Sequence, residues 1–96
     1  MRDVDLRLDG NAAAGVLGEV FAVEMTTAIE TCAGCGATEA VGAVHVYMSG
    51  PGTVLRCPHC LAVLMCIVRA RDRLLVNAAG VRRLELAAGE PSAPGA

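Results

Sequence analysis

Two Cys-x-x-Cys pairs, Cys32-Ala-Gly-Cys35 and Cys57-Pro-His-Cys60, are separated by 21 residues. Two thiolates on one tight turn can reach a single metal ion, and a second such turn completes a tetrahedron of sulfurs. Cys32, Cys35, Cys57 and Cys60 are therefore the expected ligands of one structural Zn2+. Iron in the same four sulfurs is the lesser alternative. Four thiolates leave no open coordination position, so this chemistry holds a fold together and does not turn over a substrate. No Gly-rich phosphate loop, nucleophile elbow or carboxylate pair accompanies it, and no enzyme activity is expected.

The other reactive side chains have plainer readings. His59 lies inside the second turn and reads as an exposed turn residue, because four cysteines already satisfy zinc. His45 shares a strand face with Tyr47 and reads as a half-buried strand histidine. Cys66 lies in an apolar stretch and reads as core packing. Six arginines fall in the second half of the chain. Arg69, Arg71 and Arg73 alternate, which would place them on one strand face. With Arg56, Arg82 and Arg83 they form the one candidate ligand patch, for phosphate, an acidic partner or nucleic acid, against the alternative of an ordinary solvated surface.

Composition explains why a staple is needed. The chain has 96 residues, one domain's worth, and its 54% hydrophobic content includes 17 alanines, one Phe and one Tyr. So thin a core calls for a metal or a disulfide. The N-terminus lacks an apolar signal core, and the longest apolar run, Leu61 to Val68, is too short to cross a bilayer. A cytoplasmic protein without membrane contact is expected, and there paired cysteines mean metal more often than disulfide. Net charge is −2, with an acidic first half and a basic second half. That balance is no nucleic-acid signature by itself.

The elements that must position the cysteines follow from periodicity. The spacing predicts a helix over 10–25, capped by Asp9 or Asn11, with Ala13, Val16, Leu17, Val20 and Phe21 as its apolar stripe. Gly15 and Gly18 in that helix mean either close packing on a sheet or a marginal helix. Strands are expected over Thr27–Cys32, Glu39–Met48, Thr53–Arg56 and Ala62–Ala70. The last is apolar on both faces and reads as a covered central strand. Ser49-Gly50-Pro51-Gly52 is the strongest turn signal. Arg73–Ala78 and Val81–Leu86 read as a closing hairpin around Ala79-Gly80. Gly36 can take positive φ after the first cysteine turn, and Leu61, in the matching place after the second, is expected to reach the core. The expected fold is α+β: an N-terminal helix packed on a small antiparallel sheet with a zinc-ribbon-like four-cysteine site, over residues 1–86. A disordered tail is expected over 87–96.

Read together, Leu8-Asp9-Gly10-Asn11-Ala12, Glu19-Val20-Phe21, Cys-Ala-Gly-Cys-Gly at 32–36 and Arg-Cys-Pro-His-Cys at 56–60 resemble a family of small bacterial zinc-ribbon-like proteins. That family is grouped only as a domain of unknown function. The resemblance covers roughly residues 8–86. It implies the same four cysteines as ligands and supplies no activity. The cysteine turns are also similar to the iron turns of rubredoxins, but the buried aromatic cluster of those electron carriers is missing. The functional expectation is a zinc-stabilised module for protein–protein interaction or regulation, with a homodimer as one form of partner. A nucleic-acid-binding zinc ribbon, or a rubredoxin-like iron electron carrier, is the alternative.

Overall fold

The structure, a computed structural model, describes residues 7–22 and 24–87. Of the expected tail over 87–96, all but Ala87 lies outside the described residues.

Strand β1 (Leu8–Asp9) runs straight into a 3-10 turn, Gly10–Ala13, and then helix α1, Ala14–Phe21. Asp9 is the cap: its side chain accepts from the Asn11 N–H at 3.1 Å. Gly10 is required there, since a Cβ would lie 1.7 Å from the Val41 carbonyl oxygen. The distinctive Leu-Asp-Gly-Asn-Ala opening is thus a backbone lock. The helix is shorter than expected because Ala22 turns left-handed (φ 60°) and its N–H closes on the Gly18 carbonyl at 2.9 Å. Its stripe behaves as expected: Ala13 and Leu17 are fully buried, with Val16, Val20 and Phe21 packed beside them.

The remaining strands are β2 (Ile29–Cys32), β3 (Thr38–Ala40), β4 (His45–Ser49), β5 (Gly52–Arg56), β6 (Val63–Ala70), β7 (Arg73–Asn77) and β8 (Val81–Glu85). They form two antiparallel sheets, ordered β1-β4-β5-β6-β7 and β3-β2-β8. The α+β class holds, with two sheets in place of one. The single strand expected over Glu39–Met48 is broken by a 3-10 turn at Val41–Ala43. There Val41 and Gly42 donate N–H bonds to Ala28 and Thr26, and the chain crosses from one sheet to the other.

The expected closing hairpin is also corrected. Strand β7 pairs with β6 through the tight turn at Arg71-Asp72, while β8 pairs with β2. Gly80 makes the crossing: its N–H bonds Leu64, its carbonyl accepts from Ala33, and a Cβ would stand 1.9 Å from the Val63 oxygen. Helix and sheets share one core, in which Leu17, Val44, Val46, Leu55, Leu64 and Ile67 are almost wholly excluded from solvent.

Strand β6 is central but covered on one side only. Cys66 and Val68 stand half-buried on its outer face, so Cys66 is not a core residue as its apolar setting suggested.

Candidate metal centre

Each cysteine pair sits on a turn between two paired strands. The first joins β2 to β3 and the second joins β5 to β6. The turns close alike. Gly36 N–H bonds the Cys32 carbonyl and Cys32 N–H bonds Ala37; Leu61 N–H bonds the Cys57 carbonyl and Cys57 N–H bonds Ala62, all at 2.9 Å. Each turn then needs a left-handed residue just past its second cysteine. Gly36 takes φ 77° and Leu61 takes φ 66°. Leu61 therefore does not reach the core; its position is set by the turn, and it is 54% exposed.

The four sulfurs converge. All lie within 4.8 Å of one another, and the cross-turn pairs Cys32–Cys60 and Cys35–Cys57 are 3.7 Å apart. A tetrahedron with metal–sulfur arms of ~2.3 Å has edges of ~3.8 Å. Those two edges match, and the four sulfurs together are placed to hold one metal ion. Cys32 and Cys57 are fully buried, and Cys35 and Cys60 face solvent. Backbone N–H groups of Gly34 and His59 point at the sulfurs of Cys32 and Cys57, at 3.3 and 3.4 Å.

Electrostatics make the same point. The Cys35 backbone N–H, aided by that of Gly34, pulls Cys32 down to about 7. For Cys35 the Ala37 N–H acts downward, but burial and the crowding sulfurs prevail and push the thiol up to about 12. Cys60 is likewise raised, burial and the neighbouring sulfurs outweighing the Ala62 N–H. Four sulfurs this close cannot all ionise without a compensating cation, and a bound divalent ion would displace their protons.

His59 is more than a turn residue. Its Nε2 lies 2.6 Å from Oε2 of Glu39, which follows the first turn on β3. The pair straps one cysteine turn to the other. Sequence reading missed it because the partners are 20 apart in the chain. It also missed Glu30, buried at 2% exposure with neither carboxylate oxygen bonded. A signal existed: Cys32 must face inward, and a strand residue two positions earlier shares its face.

The arginine patch is dispersed. Arg69 is turned to Glu19 on α1, Arg83 pairs with Glu85 and Arg73 lies beside Asp72. Arg71 sits in the β6–β7 turn at φ 60°. Arg69, Arg71 and Arg73 thus lie on a strand, a turn and a second strand, and do not share one strand face. His45 is half-buried as expected; burial first, and then the nearby Arg7 charge, hold it below the usual imidazole range.

No helix among the described residues is long and apolar enough to cross a membrane. No curated protein and no solved structure matches the chain. A family model does, over residues 3–89, which is nearly the whole sequence. With its four-sulfur cluster capable of holding a metal ion, the chain belongs to the family of unknown function DUF6510.

Proposed function

We propose that the chain is a zinc-stabilised interaction module that binds another polypeptide and has no catalytic role of its own. The four-sulfur set would be closed once a metal is bound, so the ion serves folding. Reduced thiols of this kind suit the cytosol. The observation that carries the reading is strand β7. It pairs with β6 along one edge, and among the described residues no strand pairs along the other. Leu75 and Val76 on it are 56% and 43% exposed. Soluble proteins blunt such edges with lysine, proline or a bulge. Here the edge carries Leu-Leu-Val, which suits antiparallel addition of a partner strand.

Affinity capture from the source cell tests this with two baits, the native chain and a Leu75→Lys/Val76→Lys variant of equal metal content. One dominant protein should be recovered by the first and lost by the second. A native chain that captures nothing and stays monodisperse defeats the reading, while a homodimer broken by the variant identifies a second copy as the partner. The nucleic-acid alternative is weaker, since Arg69, Arg73 and Arg83 already have carboxylate neighbours. It requires salt-dependent retention of oligonucleotides at low ionic strength.

A further inference from the structure

The outer face of the five-stranded sheet holds a shallow groove beside the second cysteine turn. Tyr47, Val54, Arg56 and Leu61 line it, and its volume is about 440 Å3. That is within the range of small-ligand sites. Tyr47 and Val54 stand directly opposite each other across β4 and β5, and His45 and Arg56 form the next pair on the same face.

Arg56 supplies the charge. Its Nη1 donates to the Leu61 carbonyl at 2.9 Å, and its guanidinium carbon lies 6.0 Å from the Tyr47 ring centroid. A guanidinium has five donors, so most remain uncommitted. Among the described residues no carboxylate lies within ion-pair distance of Arg56.

Leu61 is the second observation. The first turn meets the same left-handed requirement with Gly36, without steric cost. A side chain in this conformation carries a steric cost that glycine escapes. Exposed as it is, Leu61 recovers little of that by burial. Strain of this kind persists where a side chain serves a ligand.

We infer that this groove binds a carboxylate attached to an apolar body. The carboxylate sits on the Arg56 fork, whose planar donors match it and whose single charge balances it. The body lies against Val54, Leu61 and the Tyr47 ring. A free apolar acid and the carboxyl terminus of a polypeptide share this chemistry. The site stands apart from the β7 edge, none of whose residues line it.

Amide NMR titration of the metal-loaded chain with four probes tests the proposal: phenylacetate, phenylacetamide, N-acetylphenylalanine and N-acetylphenylalaninamide. Both acids should give saturable shifts at Tyr47, Val54, Arg56 and Leu61, with the amides at least roughly tenfold weaker. Tighter binding of N-acetylphenylalanine identifies a chain terminus, and tighter binding of phenylacetate a free acid. Arg56→Gln should lose the acid preference. Leu61→Gly should move two readouts in opposite directions, melting higher than the native chain and binding the acids more weakly. The Leu75→Lys/Val76→Lys variant should bind normally. Acids and amides binding alike, the absence of any saturable shift, or full binding by Leu61→Gly would each overturn the proposal.

Discussion

Glu30 shares the inward face of β2 with Cys32, and neither of its carboxylate oxygens finds a hydrogen-bond partner there. Leu17, Met25, Leu55, Leu64, Val81 and Leu84 surround it around a void of about 10 Å3. Burial raises its carboxyl above the ordinary range, with the Glu39 charge acting in the same direction. A raised folded value means that the group's stability contribution is complete below its unfolded value of about 4.5 and is lost as pH rises through the folded one. Glu30→Gln should therefore match the native chain in acid and gain on it progressively towards neutral and alkaline pH. Thermal melts of both proteins at each pH, at equal metal content, check the sign. Glu30→Leu should stabilise by about 1–3 kcal/mol at neutral pH, since an unbonded buried polar group costs about that much. A Glu30→Gln difference independent of pH would show that the carboxyl does not carry a burial penalty.

At the scale of elements, the glycines divide into two kinds. A Cβ on Gly15 or Gly18 would meet nothing within 4 Å. Of the two readings their presence allowed, a marginal helix is the one the geometry supports. Gly18→Ala should stabilise α1 by about 1 kcal/mol, read as a shifted denaturant midpoint with unchanged slope. Gly80→Ala should do the reverse and cost about 3 kcal/mol, because the added methyl runs into the backbone of β6 where β8 crosses beneath it. The same elements show what was legible beforehand. The helix stripe, the Gly50-Pro51 turn and the alternating strands carry their signal in neighbouring residues. The break at Val41–Ala43 and the partner of β8 do not. Both depend on backbone hydrogen bonds to distant segments, Ala28 and Thr26 in one case and Leu64 and Ala33 in the other.

Over the whole molecule the four-sulfur cluster adds a second link between two sheets that already share one thin core. One cysteine turn ends a strand of the three-stranded sheet and the other ends a strand of the five-stranded sheet. Zinc in small four-ligand sites contributes about 10–16 kcal/mol at neutral pH. Net domain stability is only about 5–15 kcal/mol. Removal of the metal by a strong chelator should therefore abolish the cooperative melt and the strand signature in circular dichroism, and stoichiometric zinc should restore both. Elemental analysis of protein purified without added metal should find one zinc per chain. A colourless protein that keeps its melting curve after chelation would show that the core suffices without the ion.

Cysteine spacing, strand alternation and turn residues determined the four-sulfur cluster and the α+β class, because a ligand pair on one turn and a residue's face on a strand are set within a few covalent bonds. Pairing of Glu39 with His59, the burial of Glu30, the scattering of the arginines and the strain at Leu61 were decided only when distant segments packed. Each depends on which strand becomes whose neighbour, and that choice belongs to the core and the sulfur cluster as a whole.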